Sequence, residues 1–269
     1  MVLFCSFIII SGALCAYISA ASGGISPFAA FELALLCFAG CNVAYLAANY
    51  VATLFVHRDR HVDRPRPYYV WNSMQVAELV CIYSGLIIHI NGEELLPKDT
   101  RYLFVSNHRS NLDPIVIMNR LRDREIAFVS KPENLKIPVI GKFIHECCFL
   151  PIDRENARNA MSTINEAADY IKSGVVSIGI YPEGTRSKSV EMREFHAGSF
   201  KIAQKAHAPI VVSAVRGTEK AAKRFFRATH VYIDILAVIS ADDAAAMKTV
   251  DLSDKVRSML EENFKLTEA

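Results

Sequence analysis

The sequence predicts an α/β domain built around a mainly buried sheet and preceded by an N-terminal membrane helical hairpin. Charged side chains are nearly absent at the start, where Glu32 is the only one within residues 1–56. From about residue 86 onward, short runs rich in Ile, Val, Phe and Tyr alternate with helix-like segments, which is typical of layered α/β proteins. Hydrophobic residues make up 52% of the 269 residues and the mean hydropathy is +0.21, an excess that comes from the first segment.

The hairpin is predicted over residues 1–57. Residues 2–21 and 28–56 are two apolar runs, and each is long enough to cross a bilayer, which takes about 20 apolar residues. The stretch 22-SGGISP-27 lies between them, and its Gly and Pro predict a turn. A secretory signal peptide would need a positively charged start, which this sequence lacks. Spanning the bilayer and dipping into one leaflet both stay open, because three polar residues interrupt the second run: Glu32, Asn42 and Asn49.

Residues 58–85 are predicted to form a basic linker followed by an interfacial amphipathic helix. Positive charge beside an apolar span favours the cytoplasmic side and attracts anionic head groups. We therefore expect a protein of the cell membrane whose α/β domain faces the cytoplasm. Aromatic side chains in the helix-like stretch prefer the membrane interface, although a plain linker and a core helix fit the same residues. The arginines are Arg58, Arg60, Arg64 and Arg66, and the aromatic residues are Tyr68, Tyr69, Trp71 and Tyr83.

The α/β domain is predicted over residues 86–269. Its candidate strands are short and rich in β-branched and aromatic residues: 86–91, 102–106, 125–130, 148–152, 176–181, 210–215 and 230–239. Helix-like segments lie between and after them: 114–122, 155–173, 198–207 and 251–266. The second of these ends at Gly174, a usual residue at a helix C-terminus. The last one spaces its apolar residues along one face: Leu252, Val256, Met259, Leu260 and Phe264.

Seven cysteines are present, and none has the spacing of a metal site. We expect a reduced protein without structural disulfides and without a bound metal. The adjacent Cys147 and Cys148 raise the hypothesis of an acyl-enzyme nucleophile, but a buried strand end explains them better.

A histidine and an aspartate share the turn 105-VSNHRSNLDP-114. Histidine titrates near neutral pH and can accept a proton from a hydroxyl. A carboxylate on its other ring nitrogen fixes the tautomer and stabilises the imidazolium that forms. We therefore predict that His108 is a general base oriented by Asp113, with Asn107 helping to hold the turn. Asp113 before Pro114 also fits the start of a helix, and the spacing alone is a weak signal.

A second motif, 181-YPEGTR-186, follows another predicted strand. Gly184 permits a tight turn with exposed backbone amides. Thr185 and Arg186 add a hydroxyl and a guanidinium, and together these groups suit a phosphate. An ordinary turn is the alternative.

Two more cationic side chains follow strand ends, which is where α/β folds place ligand contacts. Arg154 closes 149-FLPIDR-154, and Lys131 follows the strand in 128-FVSKPE-133. The alternatives are that Arg154 pairs with neighbouring acidic residues and that Lys131 is only solvated. The four strand ends together would present a base and three cationic groups.

These motifs, in this order, resemble the PlsC-type glycerolipid acyltransferases, the 1-acylglycerol-3-phosphate acyltransferase family. The stretch 107-NHRSNLD-113 resembles the family's NHxSxxD block, and 149-FLPIDR-154 resembles the block whose arginine contacts the acceptor's phosphate. The stretch 182-PEGTR-186 resembles the EGTR block, and 195-FHAGSFKIA-203 resembles the segment after it. The resemblance covers residues 105–215 and implies a mixed sheet flanked by helices.

Two departures from the family pattern concern acceptor choice and the shape of the acyl pocket. The last block of the family pattern falls here at 210-IVVSAV-215; it usually has a proline inside its strand, and Val212 stands at that position. The segment after the EGTR block usually reads FKKG; here it is 195-FHAG-198, so His196 and Ala197 replace the usual lysines.

The resemblance implies transfer of a fatty acyl group to the free sn-2 hydroxyl of 1-acylglycerol-3-phosphate, giving phosphatidic acid in phospholipid biosynthesis. His108 would deprotonate that hydroxyl, Asp113 would hold the imidazole, and the oxygen would attack the thioester of acyl-CoA or acyl carrier protein. No cofactor beyond this co-substrate, no covalent acyl-enzyme and no nucleic-acid partner are expected. The substrate contacts implied are Asn107, Lys131, Arg154, Glu183, Gly184, Thr185 and Arg186.

Other functions were weighed on the same residues. The same chemistry on another lysophospholipid, a lyso-aminolipid or glycerol-3-phosphate stays open. A lipid hydrolase would commonly carry GxSxG, and a nucleotide-binding enzyme GxxxxGK[ST] or GxGxxG; none occurs here. A non-catalytic lipid-binding protein would be expected to have lost His108 or Asp113.

Overall fold

The computed structural model describes residues 2–153, 156–187, 192–221 and 227–268. The chain divides into two compact units, Met1–Arg60 and His61–Ala269. Arg154, one of the predicted substrate contacts, lies outside the described residues.

The first unit is a pair of antiparallel helices, α1 (Val2–Ala21) and α2 (Pro27–Thr53). Phe7 packs edge-on against Phe38 and Tyr45 of α2. Ser26 begins α2 by accepting a hydrogen bond from the backbone of Ala29 at 3.3 Å, a usual N-cap. Both helices are long and apolar enough to cross a membrane, and their side chains are mainly exposed. The predicted hairpin of apolar helices is confirmed, and it fits a membrane association.

The second unit holds a seven-stranded mixed sheet flanked by helices, as predicted. The strand order is β1-β7-β6-β2-β5-β3-β4. Neighbouring strands are parallel except β6 and β7, which are antiparallel. Five strands therefore run one way, while β1 and β7 run the other way. The strands are β1 Leu86–Asn91, β2 Leu103–Ser106, β3 Ile126–Ser130, β4 Leu150–Pro151, β5 Ser177–Ile180, β6 Ile210–Arg216 and β7 Thr229–Ile239.

Nine helices are described in this unit. The helical segments predicted from the sequence, including the interfacial helix, correspond to five of them and one 3₁₀ turn. The segment predicted at 198–207 is a 3₁₀ turn, Ala197–Phe200, followed by a short helix. Asn156 caps another helix by accepting from the backbone of Arg158 and Asn159, so that helix starts at Ala157. The helices are α3 Pro67–Tyr83, α4 Asp113–Arg120, α5 Pro132–Lys136, α6 Ile140–Glu146, α7 Ala157–Lys172, α8 Lys201–Ala206, α9 Thr218–Ala221, α10 Ala241–Ala246 and α11 Thr249–Glu268.

The core lies between the sheet and the amphipathic faces of its helices. All four residues of the central strand β2 are buried. Helix α11 buries Leu252, Val256, Leu260 and Phe264, one side chain per turn, which is the spacing of a helix face on a core. Helix α7 does the same with Ile164, Ala167, Ala168 and Ile171.

Helix α3 packs as a core helix on the second unit, and its interfacial role stays a prediction. It packs against α4, α6 and β1, and its buried residues include Tyr69, Asn72 and Leu79. Two of its aromatic residues nevertheless remain exposed, Trp71 at 55% and Tyr83 at 54%. The helix is therefore part of the second unit and carries exposed aromatic side chains near its two ends.

The chain before α3 is tied to the same unit. The side chain of Arg66 forms an ion pair with Glu146 at 2.8 Å, and Glu146 is only 2% exposed. The Tyr170 hydroxyl donates to the carbonyl of Val62 at 2.6 Å. Arg66 thus has an internal partner, whereas Arg64 is exposed.

Gly179 in β5 leaves space for the aromatic ring of Phe128. A Cβ at this position would lie 2.4 Å from the ring of Phe128. That ring is itself confined, with Phe149 at 5.8 Å and Tyr181 at 5.5 Å between centroids.

Replacing Gly179 with alanine is therefore expected to lower the free energy of unfolding by about 1–3 kcal/mol, the usual cost of overpacking a core. Thermal unfolding in detergent would measure it. Gly198→Ala is the matched control, because a Cβ there meets nothing within 4 Å. A Gly179→Ala protein that melts with wild type would show that Phe128 can move aside.

Candidate active site

Five neighbouring parallel strands deliver the candidate site residues to one edge of the sheet. Strands β6, β2, β5, β3 and β4 are adjacent and run in the same direction. Their carboxyl ends meet at one edge, which is where α/β proteins bind ligands. His108 follows β2, the 181–186 motif follows β5, and Lys131 follows β3. The sheet order therefore joins motifs that are far apart along the chain.

His108 and Asp113 are in direct contact at this edge. The distance from His108 Nδ1 to Asp113 Oδ2 is 2.8 Å. The Asp113 side chain is fully buried and that of His108 is 18% exposed. If Nδ1 donates to the carboxylate, the imidazole keeps an unprotonated Nε2, the tautomer that a base requires. The arrangement is the one expected from the sequence, and the catalytic role stays a prediction.

Four donors surround the Asp113 carboxylate. Besides His108, the backbone amides of Arg109 and Ser110 donate to Oδ2, both at 2.8 Å. The Thr218 hydroxyl donates to Oδ1 at 2.5 Å. These four contacts fix the position of the Asp113 carboxylate beside the histidine.

The imidazole also rests on an aromatic ring. His108 stacks on Tyr181 with centroids 4.2 Å apart and planes 13° apart, and Tyr181 stacks in turn on Phe128. The Tyr181 hydroxyl is buried and has no hydrogen-bond partner among the described residues. Burial, helped by the nearby Asp113 carboxylate, raises the pKa of Tyr181 well above its usual value. Tyr181 is therefore a neutral phenol whose ring sets the plane of the imidazole.

Glu183 joins the motif after β5 to the histidine turn. Its Oε1 accepts from the backbone amide of His108 at 2.7 Å. Its Oε2 accepts from the Ser187 hydroxyl and from the backbone amide of Arg193 at 3.1 Å. The Ser187 amide donates back to the His108 carbonyl at 2.8 Å. Glu183, which is 3% exposed, thus ties three loop segments together; its predicted substrate contact stays a prediction.

Asn107 plays a comparable part between β2 and β6. Its amide donates to the carbonyl of Val215 at 2.9 Å and accepts from the Val215 amide at 2.8 Å. Its side chain is fully buried. These contacts hold the turn, as expected, and the substrate contact assigned to Asn107 stays a prediction.

An open cleft of about 760 Å³ lies at the ends of β3, β4 and β5. Gly184 has φ 73°, the left-handed conformation that glycine permits, and Thr185 is half-buried. Arg186 is exposed and is not among the described lining residues. The lining mixes cations and carboxylates: Lys131, Pro132, Glu133, Ile152, Asp153, Glu183, Gly184, Thr185, Arg193, Glu194 and His196.

The two departures from the family pattern fall in different places. Val212 is fully buried in β6, paired with Val105 and Ala237, so this departure changes the core rather than the cleft. His196 lines the cleft, so this departure changes a group that a ligand would meet.

The adjacent cysteines are poor nucleophiles. Burial raises the pKa of both Cys147 and Cys148 to about 12. The reactive form of cysteine is the thiolate, which these residues rarely form at neutral pH. Both cysteines are buried, as the sequence indicated, but they lie in the turn between α6 and β4 and not at a strand end.

Sequence reasoning missed Thr218, the stacking role of Tyr181, and Arg193. Thr218 comes just after β6 and is 1% exposed. The rule that ligand contacts follow strand ends, which singled out Lys131 and Arg154, would also have indicated Thr218. Nothing in the sequence singles out Arg193, because Glu183 brings it to the cleft through a backbone contact.

Comparison with known proteins identifies a matching protein family. The family model described as Acyltransferase matches residues 87–216. The 1-acyl-sn-glycerol-3-phosphate acyltransferase of Saccharomyces cerevisiae is 27% identical, over 87% of this chain and 76% of the relative. A chloroplastic 1-acyl-sn-glycerol-3-phosphate acyltransferase of Arabidopsis thaliana is 30% identical over 67% of this chain. The match spans about half of that relative, 51% of its length.

A solved structure supports the fold. The crystal structure of the 1-acyl-sn-glycerophosphate acyltransferase PlsC from Thermotoga maritima aligns with a TM-score of 0.64 and 21% identity. The alignment covers 84% of this chain and 89% of that one. At this identity the likeness concerns the architecture.

Proposed function

The chain belongs to the PlsC-type 1-acyl-sn-glycerol-3-phosphate acyltransferase family, and we propose that it acylates the sn-2 hydroxyl of 1-acylglycerol-3-phosphate to give phosphatidic acid. The observation that carries the proposal is the 2.8 Å contact between His108 and a buried Asp113 beside an open cleft. The activity printed in the names of two relatives supports the choice of acceptor.

The proposed mechanism is a direct transfer with His108 as general base. Nε2 takes the proton of the acceptor hydroxyl as its oxygen attacks the thioester carbonyl carbon. The C–O bond forms, the C–S bond breaks, and the departing thiolate takes the proton back from the imidazolium. Asp113 stabilises the imidazolium while it exists. Atoms and charge balance without a covalent acyl-enzyme, a metal or a further cofactor.

Binding of the acceptor's phosphate is assigned to the cleft and its rim. Lys131 is exposed after β3 and lines the cleft with Thr185, while Arg186 follows at the surface. Arg154 belongs to the same proposal by its place in the family motif. An ammonium, a hydroxyl and guanidinium groups are the usual partners of a phosphate. The donor is acyl-CoA or acyl carrier protein.

The first unit is proposed to embed in the cell membrane with the second unit in the cytoplasm. Two apolar helices support the membrane association. The arginines that follow them support the cytoplasmic side: Arg58, Arg60 and Arg64.

Acyl transfer by the purified full chain in detergent tests the proposal. Labelled acyl-CoA or acyl carrier protein is supplied with lysophosphatidic acid, and labelled phosphatidic acid is the expected product. A protein that binds the lipid but forms no product with either donor would contradict an acyltransferase.

A second acceptor is favoured by one observation, the presence of His196 in the cleft where the family usually has a lysine. Other lysophospholipids, a lyso-aminolipid and glycerol-3-phosphate therefore belong in the same assay. Faster transfer to one of these than to lysophosphatidic acid would replace the proposed acceptor and keep the reaction.

Thr218 offers a test of how Asp113 is held. Thr218→Val keeps the shape and removes the hydroxyl that donates to Oδ1. A hydrogen bond to a charged group contributes about 1.5–3 kcal/mol, so we expect kcat/KM to fall by about tenfold or more. Thr218→Ser keeps the hydroxyl and should retain most of the rate. Equal rates for the valine and serine variants, measured from pH 5 to 9, would remove Thr218 from the positioning of Asp113.

A further inference from the structure

A loop on the second unit exposes apolar side chains toward solvent. Residues 137–139 connect α5 to α6, and together with Ile140, the first residue of α6, we call them the 137–140 loop. Ile137 is 40% and Ile140 54% exposed. Pro138 between them is also exposed. Single exposed apolar residues are ordinary, but here the backbone and the neighbouring side chains set these residues apart.

The backbone holds the loop in this exposed form. Val139 has φ 63° and ψ −68°, a conformation that β-branched residues rarely adopt. A Cβ on Gly141 would lie 2.1 Å from the carbonyl oxygen of Leu135, so the chain passes very close to itself. The Gly141 amide donates a hydrogen bond to the carbonyl oxygen of Ile137 at 2.9 Å. Strain at such positions persists only where the surrounding structure enforces it, and it clusters at functional segments.

Exposed aromatic residues lie next to the loop. The ring of Tyr68 at the start of α3 lies 6.5 Å from that of Phe143 on α6. Trp71 is on the same face of α3 as Tyr68, three residues on, and Ile140 is likewise three residues before Phe143. Tyr68 is 47% and Trp71 55% exposed. We call these four residues the interfacial patch: Tyr68, Trp71, Ile137 and Ile140.

The charge around the patch is basic. Residues 131–142 contain three lysines and one glutamate. Lys136 directly precedes the loop and is exposed, as is Arg64 shortly before α3. Tryptophan and tyrosine favour the lipid head-group region, and nearby lysines and arginines favour anionic lipids.

We propose that the interfacial patch docks the second unit onto an anionic bilayer surface, with the 137–140 loop inserted at head-group depth. The occupant is lipid because exposed tyrosine, tryptophan and isoleucine flanked by cations match the composition of interfacial membrane segments. The inference concerns the second unit's own membrane contact and holds whichever lysolipid is the acceptor.

Docking at this patch would bring the cleft to the bilayer. Helix α5 has five residues, about 7 Å of chain at 1.5 Å per residue, and it separates Lys131 in the cleft from the loop. A lipid leaving the head-group region beside the loop would therefore have a short path to the cleft.

Tryptophan fluorescence of the full chain tests this directly, since Trp71 is the only tryptophan. The protein is reconstituted into phosphatidylcholine–phosphatidylglycerol vesicles with or without bromine on the acyl chains, because bromine quenches tryptophan at close range. In a Trp71→Phe background, Ile140→Trp reports on the loop. Val250→Trp is the matched control, because Val250 is 57% exposed on α11, which packs against β6 and β7 instead.

Trp71 in wild type and the tryptophan of Ile140→Trp are expected to lose most of their emission in brominated vesicles, whereas Val250→Trp keeps its emission. Equal quenching of Ile140→Trp and Val250→Trp would overturn the proposal. So would a blue-shifted but unquenched Ile140→Trp, which would mean that protein, such as a second copy, covers the patch. Ile137→Trp replaces Ile140→Trp if the latter does not melt like wild type.

A separate experiment tests the preference for anionic lipid. Lys136→Glu, and vesicles of phosphatidylcholine alone, are each expected to weaken quenching at Ile140→Trp. Unchanged quenching in both would overturn the preference for anionic lipid. Quenching is read without turnover, so a failure of the proposed reaction would leave this result untouched.

Discussion

Replacing His108 with alanine is expected to lower the rate of acyl transfer by about 10²–10⁴-fold, the usual contribution of a general base. The reason is geometric: the other imidazole nitrogen contacts the buried Asp113 at 2.8 Å, and Nε2 is left for the acceptor hydroxyl. Initial rates with labelled acyl donor and lysophosphatidic acid measure the loss. The effect should fall on kcat, because the base acts in the transition state and not in binding.

His207→Asn is the matched control for that variant. His207 also faces an aspartate, Asp242, at 3.4 Å, but both side chains are mainly exposed. His207 has φ 49°, a conformation that asparagine tolerates, so its replacement should leave both the melting temperature and the rate near wild type. If His108→Ala keeps the wild-type rate with either acyl donor, the base is another group.

The histidine–aspartate contact was predictable because it is local in the sequence. Asp113 comes five residues after His108, and a strand end followed by a helix start folds back over that distance. Thr218 was not predictable in the same way. It reaches Asp113 from 105 residues further along the chain, and only the pairing of β2 with β6 brings it there.

The same distinction between local and long-range contacts applies to the fold. Each predicted strand has its counterpart, since alternating and buried apolar runs report local conformation. The order of the strands and the reversed direction of β1 and β7 depend on contacts between distant segments, which a local pattern does not record. Strand β4 is shorter than predicted, only Leu150–Pro151. Cys148, with φ 63°, and Phe149, whose amide donates to the carbonyl of Ile144, belong to the turn after α6 instead.

Removing the carboxylate of Glu183 is expected to have the largest effect on stability. Glu183→Ala would leave three donors without their acceptor: the His108 amide, the Ser187 hydroxyl and the Arg193 amide. A buried group that loses its partner costs about 1–3 kcal/mol. We therefore expect the free energy of unfolding to fall by about 3 kcal/mol or more, measured as a lower melting temperature in detergent.

The same variant should also lose activity at temperatures where it remains folded. The Glu183 contact fixes the backbone of His108, and a displacement of about 1 Å in a catalytic group can cost about 10²-fold in rate. Glu194→Ala is the matched control, since Glu194 lines the same cleft but is exposed and should change the melting temperature little. A Glu183→Ala protein that melts with wild type would show that water replaces the carboxylate. One that melts early yet keeps the wild-type rate would show that the histidine turn holds its geometry without Glu183, through its remaining contacts.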